Sequence, residues 1–319
     1  MKNWPIYLFL KLLVGFFKIL PRQIALKAGE YMAVIPYYLS SRHRKITLDN
    51  LMIAYGNDKN ELERKKIAKA SFKNLGRVMA EFSRMPSYNK GFIDKIIEIE
   101  GWENFEKAMK KGKGIVFLTG HLGNWELMAY SQSLRGYHEN IIARPLDNPV
   151  VERFVQKQRS AAGNKVIAKK SALKDIIYCL KRGEHVGILL DQNVAQQEGI
   201  FVDFFGRPAC TSFGLAMIAL KVDITIIPVF MVYAGNGRYK QLIGGEIEIR
   251  KTGNFEDDLA YNTALFTKII ESYIRRYPEQ WFWAHRRWKT QPKEMKWKER
   301  NIKIRRFEGQ IDLKGINNV

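Results

Sequence analysis

Cysteine is nearly missing from this chain: Cys179 and Cys210 are the only 2 in 319 residues, far apart and outside any His/Cys cluster. That excludes a disulfide framework and a zinc site, points to a reducing compartment, and leaves each thiol the role of a small apolar core residue. A long uninterrupted apolar run is missing too. The most apolar stretch, Ile6 to Leu20, is broken by Lys11 and Lys18, short of the roughly 18 to 20 residues that a spanning helix needs. No Pro/Ser/Gly-rich or repeated tract occurs, and 46% apolar with 12% aromatic residues suffices for a proper core, so a disordered chain is excluded. Absent as well are a Gly-x-Ser-x-Gly elbow, a phosphate-binding P-loop and a His-Glu-x-x-His pair. Serine hydrolase, NTPase and zinc protease readings fall with them.

Acidic residues are scarce, 32 against 53 Lys and Arg, for a formal charge of +21. An excess of this size implies an anionic partner, either nucleic acid or an anionic membrane surface with phosphorylated lipid. The chain carries no helix-turn-helix, zinc spacing or RNP signature, so nucleic-acid binding is kept as the alternative from a different class, and no nucleic acid is expected as a partner. The N-terminus favours the membrane. Lys11 and Lys18 share one helical face, which lets Leu8, Leu12, Phe16 and Ile19 face an apolar phase, as an interfacial helix does. A second apolar stretch, Ile24 to Leu39, follows Pro21 and suggests a helical hairpin, and no small-residue cleavage site follows the first stretch. Basic and aromatic residues alternate again beyond Trp281, where Trp297 and Phe307 stand among lysines and arginines.

Between these ends the pattern is α/β. Glu61 to Arg84 repeats apolar residues at helical spacing, and Gly114 to Thr119 is a continuous apolar run of the buried-strand kind. Strands at 140–144, 185–191, 224–233 and 241–250 alternate with helices at 149–162, 172–182, 211–221 and 257–277. Such alternation predicts a mostly parallel central sheet flanked by helices, with N-terminal membrane-associating helices. Pro228 suggests an edge or a bulge in its strand, and Gly206 with Pro208 a turn. The expected organisation is a membrane-associating segment at 1–45, a catalytic domain at 46–289 and a basic tail at 290–319.

The first strand runs into Gly120-His121-Leu122-Gly123-Asn124-Trp125-Glu126. On one continuous helix His121 and Glu126 would stand about 140° apart. With glycines at 120 and 123, His121 instead sits on a turn at the carboxyl end of a strand and Glu126 in the first helical turn, reaching back. Histidine has the pKa to take the proton of an attacking hydroxyl, and a carboxylate beside it would hold one ring tautomer.

His-Leu-Gly-Asn-Trp-Glu after an apolar strand resembles the block that marks the late acyltransferases of lipid A biosynthesis, relatives of the glycerolipid acyltransferases. Further blocks are similar in the same order: Ala143-Arg144-Pro145 with Asn148-Pro149, Leu190-Asp191-Gln192, Phe204 to Ala209 with Thr211, and Glu279 to Trp288. Leu190 replaces the family's proline before Asp191. The resemblance implies a glycerolipid-acyltransferase-like fold, transfer of a fatty acyl group from acyl carrier protein or acyl-CoA to a hydroxyl of a lipid A-type glycolipid, and work at the cytoplasmic face of the inner membrane. It further implies His121 as catalytic base, Glu126 as its partner, and Arg159 and Asp191 as further catalytic residues. Arg144, Asn124, Gln192 and Arg207 are expected at the substrate, Arg144 and Arg159 through guanidinium bonds to phosphate or to the developing oxyanion, with Asp191 holding one of these arginines. No cofactor beyond the thioester co-substrate and no metal is expected. Another lysolipid, aminolipid or inositol mannoside acceptor would fit the same chemistry.

Overall fold

The computed structural model describes residues 4–56, 58–168 and 172–292. The basic tail expected at 290–319 therefore lies almost wholly outside the described residues. Four helices open the chain: α1 (Trp4–Ile19), α2 (Arg22–Leu39), α3 (Ser41–Tyr55) and α4 (Glu61–Arg84). An α/β unit follows with α5 (Lys90–Ile96), β1 (Ile97–Glu100), α6 (Trp102–Lys110), β2 (Ile115–Thr119), α7 (Trp125–Leu134), β3 (Glu139–Ala143) and α8 (Pro149–Ser160). It continues through β4 (Lys165–Ala168), α9 (Ala172–Lys181), β5 (His185–Leu189), β6 (Gly199–Phe204), β7 (Arg207–Ser212), α10 (Gly214–Lys221), β8 (Thr225–Gly235), β9 (Arg238–Ile243) and α11 (Phe255–Arg276).

Seven strands form one sheet in the order β1-β9-β8-β2-β5-β3-β4, parallel throughout except where β8 meets β9. The central strands are buried on both faces, which is why they read as unbroken apolar runs. Along β8, Ile226, Phe230 and Val232 join one core, while Ile227, Val229 and Met231 join the other. This is the two-residue period of a strand expressed on two sides at once.

Several expectations need correction. Pro228 lies in an interior strand, paired with Leu118 of β2, because the ladder to β9 begins only at the next residue, Val229. Thr211 and Ser212, the first residues of the helix expected at 211–221, belong instead to strand β7: with β6 it forms a hairpin whose two-residue turn, Phe205 and Gly206, takes positive φ at both positions, the twist that suits tight hairpins. The strand expected over 241–250 ends at Ile243.

At the N-terminus, α2 lies along α4 so closely that a Cβ at Gly29 or Gly76 would strike the other helix's backbone. Buried charges stitch the same seam. Arg77 Nη1 donates to Glu30 Oε1 at 2.9 Å, and Arg22 Nη2 to Glu81 Oε1 at 2.5 Å. The end of α1 joins this body through Phe17, which packs with Leu26 and Ala80. Leu8, Leu12, Phe16 and Ile19 are exposed, as the lysine spacing predicts. No described helix is long and apolar enough to cross a membrane.

Candidate active site

β2 and β5 are parallel neighbours in a register that sets Thr119 beside Leu189. Their carboxyl ends therefore deliver His121 and Asp191 to the same place. His121 Nδ1 lies 2.8 Å from Asp191 Oδ1, and the backbone N–H of His121 donates to Asp191 Oδ2 at 2.8 Å. The Trp281 indole N–H donates to that second oxygen at 2.7 Å. A buried carboxylate thus finds three donors, which offset the cost of taking its charge out of water.

Burial alone would raise the carboxyl pKa of Asp191. The charge and hydrogen bonds of His121, with the Trp281 donor, outweigh it and hold the group at about 2. An ionised Asp191 accepts only, so Nδ1 carries the proton and Nε2 presents its lone pair. The His121 side chain is partly open to solvent, and Gln192 Nε2 neighbours its Nε2 at 3.3 Å.

The turn that carries His121 is pinned from both sides. Phe282 N–H donates to the His121 carbonyl at 3.0 Å, Gly123 N–H to Gln280 at 3.0 Å and Asn124 N–H to Met231 at 2.7 Å. Asn74 of α4 bridges the two flanks by donating to the carbonyls of Gly123 and Gln280. Gly123 has φ +64, and a Cβ there would be driven into the Met231 carbonyl. Only glycine fits so close an approach in the left-handed region.

The bracing role expected of Glu126 is corrected by this geometry. Its carboxylate is taken by Arg159, whose Nε and Nη2 donate to Oε2 and Oε1 at 2.9 and 2.5 Å, and Trp125 Nε1 donates to Oε1 at 3.2 Å. Burial disfavours the Arg159 charge, but its bonds to Glu126 prevail and raise its pKa. Asp191, expected to hold an arginine, holds the imidazole instead. The two pairs meet across Trp125, whose ring centroid stands 5.0 Å from that of His121.

Of the residues expected at the substrate, Gln192 reaches the ring. Asn124 does not present itself to a ligand: it is buried and spends its Oδ1 capping α7 through the Leu127 N–H. Arg144 is an exposed loop residue paired with Asp147 at 3.2 Å, and Arg207 is exposed beside the β6–β7 turn. Among the described residues neither is joined to His121 by a hydrogen bond or ion pair. Trp281, Trp283 and Trp288 are core residues.

Asn74 escaped the sequence reading, as did the roles of Gln280 and Trp281 within the closing block. Asn74 and Gln280 hold the turn, and Trp281 supplies a donor to Asp191. Asn74 stands with Ser71, Arg77, Glu81 and Ser83 among the polar residues on the buried face of α4. Arg287 is fully buried nearby, donating to the Cys210 carbonyl and to Thr211 Oγ1, and burial lowers its pKa to about 10.

Chemically, a histidine held by a buried carboxylate in this way can serve as a general base whose imidazolium the carboxylate would stabilise, with a separate ion pair beside it. A sequence model of the bacterial lipid A biosynthesis acyltransferases matches residues 1–290. The chain is 27% identical over 280 residues to the lipid A biosynthesis palmitoleoyltransferase of Escherichia coli (strain K12), covering 86% of this chain and 87% of that protein. It is 26% identical over 274 residues to the lipid A biosynthesis lauroyltransferase of the same organism, covering 86% and 88%. It is also 22% identical over 225 residues to the phosphatidylinositol mannoside acyltransferase of Mycobacterium tuberculosis (strain CDC 1551 / Oshkosh), covering 69% of each chain.

Proposed function

Because the chain belongs to the bacterial lipid A biosynthesis acyltransferase family, and is thus an acyltransferase, we propose that it moves a fatty acyl group from a thioester carrier to a hydroxyl of a lipid A-type glycolipid, with His121 as general base. The observation that carries this reading is the 2.8 Å contact between His121 Nδ1 and Asp191 Oδ1, which leaves Nε2 free to accept a proton. A lipid hydroxyl displaces the Gln192 amide from Nε2 and gives up its proton as its oxygen attacks the thioester carbonyl. The new C–O bond forms, the C–S bond breaks, and the imidazolium returns the proton to the departing thiolate. Asp191 offsets the transient positive charge. General-base assistance of this kind contributes about 10² to 10⁴ in rate.

In this reading Glu126 and Arg159 shape the rim beside the base. An acidic acyl carrier protein suits a chain with a formal charge of +21. The exposed outer face of α1, with Leu12 and Ile19 at 64% and 86% exposure, supports attachment to a membrane surface, which for this acceptor is the cytoplasmic face of the inner membrane.

The test is transfer by purified protein. Labelled acyl chains are offered on carrier protein and on CoA, and products are read by mass spectrometry after supplying an underacylated lipid A precursor or a lysolipid. A gain of one acyl chain on the glycolipid, preferentially from the carrier protein, is expected. Transfer to inositol mannoside or to lysophospholipid alone would replace the acceptor, and transfer to none of them would end the proposal.

A further inference from the structure

A groove of about 1030 Å³ runs between α1 and α8. Its apolar lining comes from two helix faces, Tyr7, Leu10 and Val14 on one side and Val150 and Phe154 on the other. The spacing is helical on both: residues 4, 7, 11, 14 and 18 form one stripe of α1, distinct from the outer stripe of Leu8, Leu12 and Ile19. Lys11 and Lys18 from α1 and Arg153 and Lys157 from α8 line the same groove. None of these four cations is paired with a carboxylate among the described residues.

Four cations without carboxylate partners around one apolar trough, Lys11 resting over the Tyr7 ring at 4.8 Å, repel each other, and an anion among them relieves that repulsion. The trough matches the upper end of ligand pockets, which run roughly 300 to 1,000 Å³. An occupant complementary to both features has an apolar chain and a phosphate. Gln158, bonded to the Phe82 carbonyl at 2.7 Å, also lines the groove, and the next residue of α8 is Arg159, the partner of Glu126.

We propose that the α1–α8 groove seats a non-reacting acyl chain of the anionic acceptor lipid, with the lipid's phosphate between Lys11, Lys18, Arg153 and Lys157. This rests on the chain being an acyltransferase for a lipid hydroxyl. α1 then has two jobs on two faces: the outer stripe meets the membrane, and the inner stripe receives a lipid drawn from it.

Two photoreactive probes test the proposal on the full chain in neutral-lipid vesicles: phosphatidic acid with a diazirine in its acyl chain, and the matching diacylglycerol. Phosphatidic acid should label Leu10, Val14, Val150 or Phe154. Arg153→Glu with Lys157→Glu should cut that labelling by at least about 30-fold, from two surface cations lost and two anions gained, and leave diacylglycerol labelling within about twofold. Val150→Trp should block both probes in the groove. Circular dichroism checks that these variants fold, and both charge positions are exposed. His121→Ala should label normally and transfer at least about a hundredfold more slowly. Labelling confined to Leu8, Phe9 and Leu12, or equal labelling by both probes, would overturn the groove whatever the transfer assay reads. Charge-dependent labelling of the groove in a protein that acylates no lipid would leave the groove standing and remove the acyltransfer reading.

Discussion

Trp281 and the backbone of His121 donate to the same oxygen of Asp191, at 2.7 and 2.8 Å. The indole N–H therefore fixes the carboxylate plane, and the other oxygen, Oδ1, is left aimed at Nδ1 of the imidazole. Trp281 is itself locked by burial among Phe204 and Trp283. The closing stretch of the described chain thus sets the orientation of the His121 ring, a supporting role of the kind that determines how well a site is organised.

Asp191→Asn should lower acyl transfer by roughly two to four orders of magnitude, comparable to His121→Ala, because the amide cannot stabilise the imidazolium and favours the wrong tautomer. Single-turnover rates on folded variants measure it. Wild-type turnover in Asp191→Asn would remove Asp191 from the mechanism.

Glu126→Gln should act chiefly on stability. It strands the guanidinium of Arg159 in a partly buried position, at a cost of about 2 kcal/mol, below the 3–5 kcal/mol of a fully buried pair. Arg159→Met in the same chain should recover most of that loss, since neither charge is then left alone. Urea unfolding of both single variants and the double variant gives the coupling; additive losses would mean that the 2.5 Å pair contributes nothing.

Gly123→Ala should destabilise the chain by at least about 2 kcal/mol, because strain at positive φ adds to the collision with Met231. Gly136→Ala is the control: it too has positive φ, but open space around it, so strain alone applies. Equal shifts in Tm for the two would show that the approach to Met231 does not constrain the turn.

His285 gives a pH signature. Burial, with the nearby Arg287 charge, lowers its pKa to about 4, and its Nε2 accepts the Asn193 N–H at 2.9 Å. Between its unfolded value near 6.5 and about 4, the unfolded chain takes up a proton that the folded chain refuses, so stability falls as pH falls through that window. His285→Gln keeps an acceptor and should flatten the slope of unfolding free energy between pH 6.5 and 4. An unchanged slope would place the titration elsewhere.

Leu12→Ser with Ile19→Ser should weaken vesicle binding by at least roughly tenfold, since each loses the transfer energy of an apolar side chain. Co-sedimentation with anionic vesicles measures it. Both residues are exposed, so folding should be untouched, and unchanged partitioning would remove α1 from the membrane contact.

The α/β alternation, the strand entering Gly120-His121, the helix beginning at Trp125 and the long amphipathic α4 were all legible because they depend on local periodicity and on glycine. Hairpin β6–β7 was not, since its turn places Phe205, a bulky aromatic, at positive φ. Asn74 was equally hidden: nothing in its neighbourhood says which distant carbonyls it will meet.

The chain's own order of residues was enough to place a histidine on a glycine-bracketed turn and a glutamate in the helix after it. Which carboxylate meets that histidine was decided in three dimensions. Parallel pairing of β2 with β5 sets Thr119 against Leu189 and so carries His121 to Asp191, 70 residues away. Glu126, only five positions on, is drawn off by Arg159 from α8. Sequence spacing encodes the geometry within a turn or a helix, whereas neighbours in a parallel sheet are joined through crossovers whose length is indifferent to the contact they create.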